Sequence, residues 1–455
     1  MKTMKSFLMA ALALTFAACS NDDKDILNPA QTAKGEGITI SATLAPKDAS
    51  ATTRAVSEGT GDDAGDIVAS WAADEHIAIL YEVSGTKHAA DAKITSVDGS
   101  GAATISFTVE SGTADNTECT LVYPLAAAKA DNSGVKDYAD LLATQDGVLD
   151  GDFDVRVGTG KIQTTTPSLD VTTQPAAQFA IFKFTLDGVS IDNTHPLVIK
   201  DNASNTTITT VKPASTATSV YVAMPEAASK AYKFVVTTAD NKYIKSGTAA
   251  IEAGKYYQTT LSMSPRYPLA LSSATAEDDL GAVVCSDGKM YMEKKAVTGT
   301  AVGILGKVTE TGHGLILALK DATAQTWNTI NGWTSVTTYA GTTLKVLPDD
   351  AARGTNLTSY TTLGSTAVSN WAVAQKSDYE AIFTNLGSTT GGSNGMTYDA
   401  NVNAYITTGV GGDAISGVYW SATEGDGNLA WRFGSDNWGN RYEGLSGSVR
   451  PVLAF

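Results

Sequence analysis

A mainly β fold divided into several units is predicted by three features. Short runs alternate apolar with polar residues, threonine, serine and glycine fill the intervals, and six of the seven tryptophans fall after residue 268. At 455 residues the chain exceeds one ordinary domain of about 100–200 residues, so two or three are expected. Its 43% hydrophobic content is enough for real cores, and its 18% charged content is lower than usual for a soluble enzyme. The net charge of −16 argues against a nucleic-acid partner, because phosphate recognition needs basic patches, and it also disfavours broad contact with anionic lipid.

Lys2 and Lys5 precede an apolar stretch from Ser6 to Ala18. It falls short of the roughly 20 residues a membrane-spanning helix needs and has the anatomy of a secretory signal. Ala17-Ala18-Cys19 resembles a bacterial lipoprotein cleavage box, with Phe16 departing from the commoner leucine. That resemblance implies a signal peptide over 1–18, lipidation of Cys19 and a membrane contact of the precursor through its lipid. Residues 19–37 then form a tether. Its acidic patch, Asp22, Asp23 and Asp25, resembles the surface-export signals of Bacteroides-group lipoproteins, although a solvated linker has the same composition.

Ile38, Ile40, Ala42 and Leu44 alternate with polar partners, the pattern of a strand with one packed face. The run Ile77–Tyr81, the face Ala103, Ile105, Phe107 and Val109, and Leu121–Tyr123 before Pro124 continue it. These strands define a first sandwich over 38–150. A second, over 151–265, is read from Ala180, Phe182, Phe184 and Leu186, with Ile181 an apolar intruder on the outer face. Ser219–Met224 before Pro225, Tyr232–Phe234–Val236, and Tyr256–Leu261 follow. Short strands with Asp-Gly and Ser-Gly turns favour sandwiches over alternating β-α units. Cys119 and Cys285 are expected as buried free thiols in different domains, with an interdomain disulfide as the alternative.

The lipoprotein start, Trp71-Ala72-Ala73-Asp74-Glu75-His76-Ile77-Ala78-Ile79, Tyr123-Pro124, Val222-Ala223-Met224-Pro225 and Gly254-Lys255-Tyr256-Tyr257 together resemble the fimbrillin family of Bacteroides-group bacteria over approximately 1–265. The resemblance implies two transthyretin-like β-sandwiches and assembly into a surface pilus. It further implies that strand 38–44 is removed by cleavage after Arg54, in Thr53-Arg54-Ala55, and that strands of other pilus subunits insert in its place. Independently of any family, a removed strand leaves unpaired backbone groups that an added strand satisfies. An ordinary exposed loop arginine is the competing reading of Arg54.

Beyond Pro268 the aromatic bias marks a separate α+β module. Leu315–Leu319 reads as a buried strand or other buried element. Ser377 and Glu380 have the spacing of a capping box, Tyr379, Ile382, Phe383 and Leu386 form a helical stripe, and Gly387 supplies its stop. Gly312-His313-Gly314-Leu315, Tyr419-Trp420-Ser421-Ala422-Thr423-Glu424 and Arg450-Pro451-Val452 resemble a C-type-lectin-like module over 270–455. The chain lacks the Glu-Pro-Asn, Gln-Pro-Asp and Trp-Asn-Asp triplets of calcium-dependent sugar binding. Trp420 and Trp431 are assigned to the core. Trp438, among polar turn residues, is weighed equally between core and surface; if exposed, it forms a candidate ligand surface with Asp436, Asn437, Asn440 and Arg441.

The four histidines are widely separated and have no metal-ligand spacing; His313 reads as a turn-capping or internally bonded residue. Asp62, Asp63 and Asp66 lack a full calcium loop. Gly158-Thr159-Gly160 is no phosphate cradle and Gly444–Ser448 no nucleophile elbow. The expectation is therefore a non-enzymatic adhesive pilus subunit with no catalytic residues, metal or cofactor. It stands at the outer-membrane surface and, after processing, at the fimbrial tip, in contact with a surface glycan or protein. A free-standing glycan- or protein-binding lipoprotein is the alternative, and a glycan-active surface enzyme the weaker third.

Overall fold

The alternation in Ile38–Leu44 and Ala103–Val109 becomes a buried face and an open one. Ile40, Leu44, Ile105 and Phe107 are buried, while Thr39, Ser41 and Thr43 face outward. The computed structural model describes residues 37–47, 57–58, 67–149, 153–297, 299–327, 338–339, 342–347, 361–369, 371–426, 429–442 and 445–455. The expected signal peptide, Cys19, Arg54 and Asp62, Asp63 and Asp66 lie outside the described residues, as does the tether except Gly37.

The chain is mostly β and resolves into two compact units. One holds the described residues up to Thr185 together with Ser219–Lys230 and Thr248–Thr259; the other holds Leu186–Thr218, Ala231–Gly247 and Thr260–Phe455.

In the first unit, β1 (Ile38–Leu44), β2 (His76–Val83), β3 (Thr86–Val97), β4 (Ala103–Val109), β5 (Thr117–Tyr123), β6 (Arg156–Gln163) and β7 (Ser168–Ala177) form a closed barrel. Around it the order is β1-β7-β6-β5-β2-β3-β4. The expected first sandwich ended at residue 150, yet β6 and β7 lie beyond that point and complete the barrel. Closure removes exposed sheet edges. Its core holds Ile40, Leu44, Trp71, Ile79, Ile105, Phe107 and Leu121. Glycine is required at two places on β6. A Cβ on Gly158 would stand 2.7 Å from Thr173 O, and one on Gly160 2.9 Å from Asp170 O, so Gly158-Thr159-Gly160 serves close strand approach.

Also in this unit, Phe179–Thr185 pairs antiparallel with Pro225–Ser219. Ile181 is buried, because a second cluster containing Phe153, Phe179 and Ala223 covers the face assigned to solvent. Cys119 and Cys285 are both free and buried, one in each unit.

The second unit contains an eight-stranded sheet and a five-stranded sheet. In the first, β8 (Ala301–Glu310) and β9 (His313–Ala318) pair antiparallel, which settles Leu315–Ala318 as a buried strand. His313 is itself exposed, 3.9 Å from Glu310, and bonds no buried group. β10 (Tyr419–Glu424), β11 (Leu429–Phe433), β12 (Trp438–Tyr442) and β13 (Ser446–Val449) lie in the five-stranded sheet, and β14 (Val452–Ala454) returns beside β9.

α1 (Lys376–Asn385) buries Tyr379, Ile382 and Phe383, and Gly387 takes φ +78° just after it. The capping box does not form. The cap residue is Gln375, Ser377 lies inside the first turn, and Lys376 N is satisfied by Thr423 Oγ1 at 2.8 Å. α2 (Ala400–Thr407) is capped by Asp399, which accepts hydrogen bonds from Asn401 N and Val402 N.

Tyr419 and Arg450, from two of the segments that carry the lectin-like resemblance, meet in one polar network. Tyr419 Oη donates to Asp321 Oδ2 at 2.8 Å, Arg450 Nε lies 2.8 Å from Asp321 Oδ1, and Arg450 Nη2 donates to Asp413 O at 2.8 Å. Arg450 is fully buried, so the Arg-Pro-Val segment holds the module together from inside.

Candidate functional site

Two features carry functional weight: the slot filled by β1, and the surface around β11 and β12.

β1 pairs antiparallel with β4 at every position from Ile38↔Val109 to Leu44↔Ala103. Against β7 it makes one parallel pair, Ser41↔Ser168. Its alternate side chains fill the barrel, and Ile40 and Leu44 are both 0% exposed. Just beyond the strand, Trp71 Nε1 donates to Ala45 O at 2.8 Å and Ala45 N donates to Gln174 Oε1 at 3.1 Å.

Lys47 then turns its ammonium inward. Nζ lies 2.6 Å from Asp154 Oδ2 and 3.9 Å from Glu75 Oε2, 4.2 Å from the centroid of Trp71 and 3.7 Å from that of Tyr123. The side chain is only 1% exposed. Burial holds its pKa below the ordinary lysine value, against the opposing attraction of Asp154 and Glu75. Nothing in the alternation of 38–44 marked Lys47. The signal available was the spacing of a lone lysine three residues after a strand, together with Trp71, Glu75 and Tyr123 in the segments that carried the family resemblance.

The second feature decides between the two places weighed for an aromatic ring. Trp438 is 1% exposed and belongs to the core with Phe433 and Tyr419. Its Nε1 donates to Met396 O at 2.7 Å and its ring centroid stands 5.0 Å from that of Phe433. A long-range carbonyl and a tilted contact with the Phe433 ring bury an indole that its polar neighbours leave open to either side. Asp436, Asn437 and Arg441 are exposed and Asn440 is half-buried, so these four remain at the surface. Trp420 is buried in the core as expected, whereas Trp431 is partly buried and shares the Lys376 ammonium with Trp438, at 5.0 and 5.1 Å.

The opposite face of the β11–β12 hairpin brings cations together. Arg432 stands opposite Gly439 and Ala430 opposite Arg441, so the two arginines are diagonal neighbours on one face. The Arg441 guanidinium passes over Gly439, 3.6 Å from where a Cβ there would stand, an ordinary contact distance. Arg432 rests 5.7 Å from the Trp420 centroid, and burial followed by repulsion from Arg441 lowers its pKa. Among the described residues neither guanidinium has a carboxylate partner. Tyr442 and Leu445 are exposed beside them, at 71% and 45%. Asn440 Oδ1 is buried without a hydrogen-bond partner. Arg432 becomes a neighbour of Arg441 only through the hairpin register, which local sequence does not reveal.

Among the described residues no group of three or more His, Cys, Asp or Glu side chains is arranged to hold a metal ion. No protein-family model and no curated protein matches the chain. Among solved structures, a fimbrial protein from Bacteroides ovatus aligns at 11% identity over 92% of this chain and 99% of its own, with a TM-score of 0.24. A candidate cell adhesion protein from the same species aligns at 15% identity over 50% of this chain and 94% of its own, at 0.28. One from Bacteroides fragilis gives 9% identity, 50% and 92% coverage, and 0.25. TM-scores this low do not establish a shared fold.

Proposed function

We propose that the chain is a non-enzymatic structural and adhesive subunit of a bacterial surface pilus. It is exported as an outer-membrane lipoprotein anchored through Cys19, freed of β1 by cleavage after Arg54, and joined to other subunits by strand insertion into the vacated slot. The observation that carries this reading is the position of β1. It is a complete barrel strand whose inward face buries Ile40 and Leu44 fully and Ile38 and Ala42 in part, bonded along one side and by a single parallel pair on the other. Its departure exposes backbone donors and acceptors beside pockets of fixed spacing, which is the requirement for strand addition. The surface around Arg432, Arg441, Asp436, Asn437 and Asn440 is the candidate contact for a host or bacterial glycan or protein. A large module over 270–455, in place of a strand to donate, supports a position at the pilus tip, where a subunit would accept strands without donating one.

The test is to isolate the protein from intact cells, sequence its mature amino terminus and crosslink its neighbours. A start at Ala55 with a foreign strand crosslinked to β4 is the expected result. Assembled protein that retains residues 20–54 sinks the processing step. A retained Cys19 anchor without strand-linked neighbours favours a free-standing glycan- or protein-binding lipoprotein instead. Ligand-array binding, with and without calcium, addresses recognition separately.

A further inference from the structure

Most of the wall around the Lys47 ammonium is held by contacts that involve neither Lys47 nor β1; the bonds lost with the segment are Trp71 Nε1 to Ala45 O and Arg156 Nη1 to Lys47 O. Tyr123 Oη and Ala72 N donate to the two carboxylate oxygens of Glu75, each at 2.9 Å. Arg156 Nε donates to Asp154 Oδ1 at 2.5 Å, leaving Oδ2 for the ammonium. Trp71 and Tyr123 meet edge to face, with centroids 5.1 Å apart and planes at 88°. With Lys47 gone, the charged groups are two carboxylates and one guanidinium. The cage then carries one uncompensated negative charge between two aromatic faces, an arrangement selective for a cation.

The cage also has a fixed place relative to the slot. The strand that occupies the slot buries residues at the positions of Ile40 and Leu44, and its cation arrives three residues after the second. A slip of one residue would turn the apolar set outward and shift the chain by about 3.3 Å, taking the ammonium away from Asp154. Charge complementarity and register therefore define the same occupant.

We propose that the Trp71–Tyr123–Glu75–Asp154 cage is a lysine-recognition site for the incoming strand, so that the strand replacing β1 is supplied by a second subunit and carries a lysine three residues beyond its last core side chain. This inference rests on the strand-replacement reading above and adds to it a chemical criterion for the partner. The lysine fixes register and selects among strands whose apolar patterns are alike, since a neutral side chain leaves the buried charge unanswered.

The experiment uses the unprocessed chain from Ser20 to Phe455, with a specific protease site placed within residues 49–54. After cutting, β1 is stripped in urea by size exclusion, and its loss is confirmed by mass. Labelled peptides with the sequence of Ile38–Lys47, ending in lysine or with that lysine replaced by methionine, are added during refolding, and binding is read by fluorescence polarisation. The lysine peptide is expected to restore the native circular dichroism and to bind about a hundredfold more tightly than the methionine peptide. In a Glu75→Gln variant that preference should shrink. Equal binding of both peptides overturns the lysine site while leaving strand replacement intact. Failure of both peptides to bind, while the uncut chain refolds under the same conditions, overturns strand replacement and the site with it.

Discussion

Ser41 of β1 stands in parallel register with Ser168 of β7, and that pair is the sole register contact between the two strands among the described residues. On its other side β1 is paired with β4 along its whole length. The barrel therefore closes through one strong seam and one weak one. Local opening follows the weaker hydrogen bonding. In native-state hydrogen exchange, slot-facing amides of β7 should exchange faster than those of β4 that bond to β1. Equal protection on both sides would show that the seam with β7 is stronger than its register implies.

Trp438 and Arg441 were grouped on one candidate surface but occupy different environments, and mutation separates them. Trp438→Ala removes a buried indole with its hydrogen bond and should cost about 3–5 kcal/mol in urea unfolding. Arg441→Ala should stay within about 0.5 kcal/mol of the parent and lower only binding of an anionic or polar ligand. A Trp438→Ala protein of unchanged stability would return the ring to the surface.

The two thiols give a chemical measure of the cores. Burial pushes the Cys119 thiol up to about 12, and burial with the nearby Asp287 charge pushes Cys285 up to about 11. The thiolate is the reactive form, so at pH 8 both should resist alkylation in the native chain and react once it is unfolded. Because the folded values are raised, the contribution to stability is complete below the unfolded value near 9 and declines as pH rises toward 11–12. Rapid native labelling at pH 8, followed by mass spectrometry, would contradict the burial of these residues.

Arg266 and Asp279 form the clearest pH-linked pair in the second unit. Arg266 Nε and Nη2 grip the two carboxylate oxygens at 2.6 and 2.5 Å, and Asp279 is 0% exposed. Burial alone would raise its pKa, but the Arg266 bonds, with help from Thr275 and Tyr267, outweigh burial and lower it. A depressed folded value means stability that is present above the unfolded carboxylate range, near pH 4, and lost as pH falls through the folded value. Arg266→Ala should cost about 3–5 kcal/mol at pH 7, and the gap to the parent should narrow in acid. Thermal unfolding across pH 3–7 measures both; a constant gap would show that Asp279 is not the group concerned.

Local patterns revealed much of this architecture. The faces of β1 and β4 and the stripe Tyr379–Ile382–Phe383 follow from periodicity, since burial acts on every second or every third to fourth residue. What escaped depends on partners distant in the chain. Barrel closure needs β6 and β7, which the period-two pattern cannot assign to one sheet over another. The start of α1 lies earlier than Ser377 because Thr423, from β10, accepts from the Lys376 amide and the helix begins after Gln375, which leaves Ser377 inside the first turn. Trp438 went inward because Met396 O receives its indole proton. α2 was missed although Asp399 and the pair Val402 and Ile406 carried a cap and a short stripe. At the candidate sites, Arg441 and Asn440 were visible as polar turn chemistry, whereas Lys47 gained meaning only when the fold brought Trp71, Tyr123 and Asp154 around it.

The register shifts of β7, between Val171 and Thr173 and again between Thr173 and Ala176, lie on the pairing with β6. Bulges twist a strand away from the flat geometry that indiscriminate edge pairing requires. Without β1, one side of the opening, β4, would offer a regular template and the other an irregular rim. If strand replacement proceeds as proposed, two opened subunits brought together by those rims would lack matching ladders, and a bare barrel would be protected from clumping with its own kind.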